Sequence, residues 1–246
     1  MGGNTMAPGP GQGDSAHWYL LGFSLKPLQK MMRDMSAQVP RIIHQAFFAP
    51  KVHNLQQLEP WLERANAMQE YAAQWGYTYI RWDLSSSNEL ERLLGSEGFQ
   101  LLQLEISKEH LASAANLVRY VVLEEHGGFW IDLDYSLPKD HTTGELIDLL
   151  DVFSPSGATF VPEASCRNIE KSAIFVETSL FSCPPHHPII RRMIASQIQN
   201  FEVTNGVDLA KRGGSFVQTG TMLFNKVLFG KYTLIDRQTL DTIMSR

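Results

Sequence analysis

Two aspartates, Asp132 and Asp134, stand one residue apart in the run EEHGGFWIDLDYSL (124–137), whose other residues have the composition of a buried β-strand. Burying neighbouring carboxylates leaves uncompensated charge unless a cation sits with them. In a strand, residues i and i+2 point to one side, so a regular strand over FWIDLDYSL would converge two hard oxygen ligands on one spot. Such a pair supplies part of a coordination sphere. That suits Mg²⁺ or Mn²⁺ when water and substrate phosphates provide the rest. An ion held there would neutralise a diphosphate and, as a Lewis acid, stabilise the charge that develops on a leaving nucleoside diphosphate.

The segment before that strand carries a second pair. Asn116 and Arg119 are three residues apart in a helical stretch, hence on one face, and the spacing sets them apart from the apolar face of Leu111, Ala115, Val118 and Val122. An arginine beside a diphosphate would bind phosphate or sugar oxygens. The competing reading is structural: Arg119 pairs with Glu124 or Asp132 and ties the helix down.

The elements that must position these groups follow from periodicity. VPRIIHQAFF, from Val39, is a Pro followed by a compact apolar run and reads as an interior parallel strand. Residues 55–75 place Leu58, Trp61, Leu62, Ala65, Met68, Ala72 and Trp75 at steps of three and four, an amphipathic helix, and YTYIRW (77–82) is a second strand. Strand, helix, strand in this order implies a parallel sheet with a right-handed crossover. A helix from His110 to His126 ends at Gly127 and Gly128, which lead at once into FWIDLDYSL. Beyond it the pattern predicts a helix over 143–151, strands over 158–162 and 172–182, and helices over 187–200 and 220–229. The sum is an α/β fold, a mostly parallel Rossmann-like sheet with helices on both faces, in which ligands belong at the carboxyl ends of strands.

Residues 39–246 are read as one domain of this kind. The first sixteen residues are rich in Gly and Pro and offer little to bury, so 1–38 is expected to be a flexible terminus with a short amphipathic helix. In that helix Leu25, Leu28, Met32 and Met35 alternate with Lys26, Lys30 and Arg33; packing on the domain is the first reading, and a weak membrane-surface contact through 25–35 the second.

With 19% charged residues and a net charge of −5, the chain carries no excess of positive charge, which argues against nucleic acid as its main partner. Its two cysteines, Cys166 and Cys183, lack zinc-finger or CxxC spacing and read as free thiols of a reducing compartment. WYLLGF (18–23) is far too short to span a bilayer, and no basic segment precedes it. A cytoplasmic location is expected, with a secreted effector as the alternative. His44, inside an apolar strand, is read as a satisfied core histidine, and His186-His187 before Pro188 as a helix entry.

PRIIHQ at 40–45, followed by SAANLVRYVVLEEHGGFWIDLD at 113–134, resembles the D-x-D sugar-binding glycosyltransferases of family 32 and, more distantly, the glucosylating bacterial toxins. The parts agree in order and spacing. The resemblance implies a GT-A fold, a divalent metal, either Mn²⁺ or Mg²⁺, and a UDP-sugar donor whose hexose or N-acetylhexosamine is transferred with retention of configuration. The acceptor it favours is a saccharide or lipid-linked glycan. The alternatives are a toxin-like transferase acting on a host protein, and a non-catalytic nucleotide-sugar binding module.

Carried over position by position, Asp132 and Asp134 would hold metal and donor, and Arg119 would contact the donor sugar. Phe47 stands where the toxins stack an aromatic ring on uracil, and Ala46 would offer backbone contacts to the base. Glu177 and Thr178 occupy a place near the sugar, in a run ending HHP (186–188), and Thr219-Gly220 resembles the family's Thr-Gly-Pro. Two departures stand out. Asn116 replaces the family's Asp, keeping an acceptor oxygen but trading charge for donors. No Trp occurs after Trp130, so the loop that carries a catalytic Trp in the toxins is not recognisable.

Overall fold

A computed structural model describes residues 38–49, 58–140, 142–162, 176–204 and 220–229. In chain order the elements are β1 (Ile42–Ala46), α1 (Glu59–Gln74), β2 (Thr78–Trp82), a 3₁₀ turn (Leu84–Ser86), α2 (Ser87–Ser107), α3 (Leu111–His126) and β3 (Gly128–Ile131). They are followed by α4 (Leu149–Val152), β4 (Thr159–Pro162), β5 (Val176–Cys183), α5 (Pro188–Thr204) and α6 (Thr221–Phe229). The expected helix at 25–35 lies outside the described residues, as does Thr219. Among the described residues no helix is long and apolar enough to cross a membrane.

The strands form one sheet in the order β2-β1-β3-β5-β4. β1 runs parallel to both β2 and β3, giving the parallel centre that the strand–helix–strand pattern implies, while β5 and β4 join it antiparallel. Side chains of β3 alternate between two cores, as the pleat requires. Phe129 and Ile131 pack with Met68, Tyr71 and Ala72 of α1. Trp130 faces the opposite way, into a core with Phe181, Tyr120, Phe224 and Trp82. The sheet is thus covered on one face by α1 and on the other by α3, α5 and α6.

Gly127 and Gly128 are required by geometry rather than composition. Their φ angles are +63° and +95°, the left-handed region that favours glycine. A Cβ on Gly127 would lie 2.5 Å from the Pro185 backbone nitrogen, and one on Gly128 would lie 2.5 Å from the Ile42 carbonyl oxygen. The pair lets α3 stop and β3 start directly against β1.

Three elements differ from the sequence expectation. Helix α2 has no counterpart in the periodicity reading; Gly95, at φ +70°, kinks it, and two glycines within a serine-bounded segment hide its pattern. The helix expected over 143–151 shrinks to the single turn of α4, because 139–147 instead closes a local loop with a Lys139–Leu146 bridge and an Asp140 side chain capping the amides of Thr142 and Thr143. The third difference, the early end of β3, falls at the site itself.

Candidate functional site

β3 ends at Ile131, so Asp132 and Asp134 do not share a strand face as the alternation predicts. Asp132 N–H still donates to the Ser179 carbonyl at 2.7 Å, as a last contact with β5, and then a turn closes with Tyr135 N–H on the Asp132 carbonyl at 3.0 Å. The turn separates the two carboxylates into different surroundings. Asp132 keeps 28% of its side chain exposed, whereas Asp134 is an exposed residue.

The cation beside Asp132 is Arg119. Its Nη2 donates to Asp132 Oδ1 at 2.5 Å, and Trp130 Nε1 donates to the same oxygen at 2.6 Å. The guanidinium also lies over the Trp130 ring, 5.2 Å from its centroid. The structural pairing with Asp132 is therefore present; Glu124 is engaged elsewhere, by Arg191 Nε at 2.6 Å. Burial raises the Asp132 carboxyl above its ordinary pKa, the Arg119 charge and both hydrogen bonds pull it back, and the Asp134 charge adds to the rise.

Asn116 and Arg119 both line one cavity, on one side of α3, and neither stands in open solvent. Both are buried, at 6% and 3% exposure, as is the rest of the helix from Ser113 to Leu123 apart from Ala115. α3 is packed between β1 and β3 on one side and α2 and α5 on the other, and the part of its surface left open lines the same cavity. Gln197 of α5 donates to the Asn116 carbonyl at 3.1 Å. Arg119 differs from an ordinary buried ion-pair partner in one respect: its Nε and Nη1 are buried and make no hydrogen bond to a described residue.

These groups line a single cavity of about 690 Å³. Ala46 and Phe47 reach it from the end of β1, Asn116 and Arg119 from α3, Asp132 and Asp134 from the turn after β3, and Thr178 from β5. Glu177 belongs to β5, but its side chain lies outside the described set. At the floor, Thr178 Oγ1 and Thr221 Oγ1 lie 3.2 Å apart. The cavity opens where parallel strands carry their carboxyl ends, as the sheet pattern predicts.

Sequence reasoning passed over the remaining walls. Leu58 and Trp61 at the start of α1, and Leu111 and Ala112 at the start of α3, add apolar walls to the cavity. Trp61, one of the apolar positions of the amphipathic α1, is 41% exposed. A signal existed: α1 follows β1 and α3 precedes β3, so in a parallel sheet both helices begin at the ligand-binding edge.

The histidines behave as the sequence suggests. His44 is fully buried, with Nε2 on the Gly127 carbonyl at 2.9 Å and Nδ1 accepting from Trp82 Nε1 at 3.1 Å. Burial pushes its pKa down to about 4, which keeps it neutral; the Gly127 hydrogen bond opposes the shift and His126 adds to it. His187 is likewise buried and accepts from Ile189 N–H at 3.3 Å at the entry to α5. Among the described residues no group of three or more His, Cys, Asp or Glu is placed to hold a metal. Cys183 is a buried free thiol.

No family model matches the chain, and no curated protein matches it in sequence. Among solved structures it is similar to the PaToxG glycosyltransferase, with a TM-score of 0.49 and 13% identity over 89% of this chain and 80% of that one. It is also similar to the glycosyltransferase domain of the YGT toxin. The UDP-bound form gives a TM-score of 0.40 at 10% identity, over 79% of this chain and 68% of that one. The ligand-free form gives 0.38 at 10% identity, over 85% and 71%.

Proposed function

We propose that this chain is a GT-A glycosyltransferase that moves a hexose or N-acetylhexosamine from a UDP-sugar to an acceptor hydroxyl, with retention of configuration and with Mn²⁺ or Mg²⁺. A saccharide or lipid-linked glycan is the favoured acceptor. The observation that carries this reading is the convergence of Phe47, Asn116, Arg119, Asp132, Asp134 and Thr178, picked from separate motifs, around one cavity. Motif residues that met only in sequence would have no reason to do so.

The roles follow from chemistry. The apolar lining residues Phe47, Leu58 and Trp61 suit a planar base, which needs contact area more than hydrogen bonds. Arg119 lines the same cavity, and its guanidinium is a donor suited to sugar oxygens. Holding the sugar there would orient its anomeric carbon so that the bond to the diphosphate breaks with its electron pair leaving on the phosphate oxygen. The acceptor oxygen bonds on the same face, and its proton passes to that phosphate oxygen.

The donor set fits a divalent ion held in part by protein. Both hydrogen bonds to Asp132 fall on Oδ1, and the exposed Asp134 carboxylate has no hydrogen bond or ion pair to a described residue. Asp134 and Asp132 Oδ2 would hold the ion, whose contribution is to neutralise charge on the leaving diphosphate. The buried thiol Cys183 accords with a reducing, cytoplasmic setting.

The test is to incubate the protein with a panel of UDP-sugars and Mn²⁺ and to follow free UDP, with and without glycan acceptors. Transfer or slow donor hydrolysis is expected. Donor binding without UDP release would leave a nucleotide-sugar binding module. In parallel, UDP is expected to raise the melting temperature more in Mn²⁺ than in EDTA; equal stabilisation would remove the metal from the reading.

A further inference from the structure

The turn that carries Asp134 is held at its start by β5 and, seventy residues back in the chain, by α1. Arg64 Nη1 donates to the Asp134 carbonyl at 2.8 Å. The same guanidinium lies over the Trp61 ring, 5.6 Å from its centroid and one helical turn away, so the ring backs the arginine as it reaches across. Trp61, Leu133 and Asp134 all line the cavity. Asp132 is tied in addition by its N–H to Ser179 and by Gln45 Nε2 on its carbonyl at 3.5 Å, and Tyr135 packs against the core that α1 covers.

We infer that Arg64 is a positioning residue, fixing the direction in which the Asp134 carboxylate faces the cavity, with Trp61 as the support that aims it. The inference rests on the proposed role of Asp134 toward a divalent ion and names the residue on which that role depends. A carboxylate on an exposed turn samples many directions, and a ligand must present one. A hydrogen bond to the backbone of the same residue restricts the turn while leaving both carboxylate oxygens open. Arg64 does this from a helix anchored in the core by Ala65 and Met68, both 1% exposed.

The experiment compares wild type, Arg64→Ala and Arg64→Lys by two readouts. Hydrogen exchange reads the amides of 133–135, which the strap holds whether or not a metal binds. Mn²⁺ titration in the presence of UDP, followed by electron paramagnetic resonance, reads the carboxylate. In Arg64→Ala the turn amides are expected to exchange about 3- to 10-fold faster, the equivalent of one surface hydrogen bond, and Mn²⁺ to bind weaker by a similar factor. Arg64→Lys, which keeps a donor, should recover part of both, and the melting temperature should barely move because Arg64 is exposed. Unchanged exchange at 133–135 overturns the inference, as does loosened exchange with Mn²⁺ binding unaltered. A wild type that takes up no Mn²⁺ with UDP sinks the metal reading instead, and with it the purpose of the strap.

Discussion

The two aspartates are separated by one residue and belong to different parts of the molecule. Asp132 sits in a seat made by β3, α3 and Trp130, with a buried guanidinium against it. Asp134 sits on a rim with Phe47 and α1, exposed, its only described tie a backbone one. The difference teaches that a short acidic motif can contain one residue locked into the fold by its side chain and another held by its backbone alone. Variants in the seat should therefore change stability and activity together. Variants on the rim should change activity alone.

The largest effect should come from beneath the seat. Gly128→Ala would place a Cβ 2.5 Å from the Ile42 carbonyl at a φ of +95°, and backbone cannot yield as a side-chain tip can. A loss of about 3 kcal/mol or more is expected, read by chemical denaturation, together with loss of UDP release. A near-neutral outcome would mean that β3 can shift away from β1, and the seat would not be rigid.

Next comes the direct contrast. Asp132→Asn and Asp134→Asn should each lower UDP release from the donor by about 100-fold or more, as expected when a group that meets developing charge is removed. Only Asp132→Asn should also destabilise the fold, by about 1–3 kcal/mol, because Arg119 would lose its charged partner. Asp134→Asn should melt within about 0.5 kcal/mol of wild type. Equal stability losses would erase the distinction between seat and rim.

pH sharpens the same comparison. His44 holds the Gly127 carbonyl and is neutral in the fold, with a pKa lowered from 6.5 to about 4 by burial. A depressed histidine stabilises the fold fully above its unfolded pKa, and that contribution falls away as pH drops toward the folded value. The melting temperature should thus decline from about pH 6.5 to pH 4, and His187, shifted the same way, should add to the decline. A flat profile would mean that neither histidine is held neutral.

The smallest effect belongs to the rim. Phe47→Ala should raise the KM for a UDP-sugar about 3- to 10-fold, the scale of one aromatic stacking contact, and leave the metal requirement and melting temperature unaltered. No change in KM would return Phe47 to a wall without a ligand.

What the sequence made legible follows the same division. β1, α1, β2 and α3 are long apolar patterns with one dominant period, and each was recoverable within a few residues. The Gly127-Gly128 pair was legible because it lies between two such patterns. Periodicity failed where side chains or glycine override it: α2 is interrupted by Gly95, and the Asp140 loop takes the place of a helix. It also could not show that β3 stops at Ile131, since a turn and a strand use the same residues in DLDYS. The burial of Asn116 and Arg119 was hidden for another reason. A helix packed on most of its surface loses the polar stripe from which a face is inferred, and Arg119's partner just after the next strand explains why an arginine can lie there.

The arginine ties of seat and rim also differ in the length of chain each must close. Arg119 and Asp132 are 13 residues apart, across one helix-to-strand connection, whereas Arg64 and Asp134 are 70 apart. Loop closure alone makes the longer tie costlier by about 1.5 kcal/mol. During folding the seat can close as soon as α3 meets β3, while the rim must wait until α1 has docked on the far side of the sheet. By loop closure alone, the Arg119 seat is thus the easier of the two ties to form and the Arg64 strap the easier to lose.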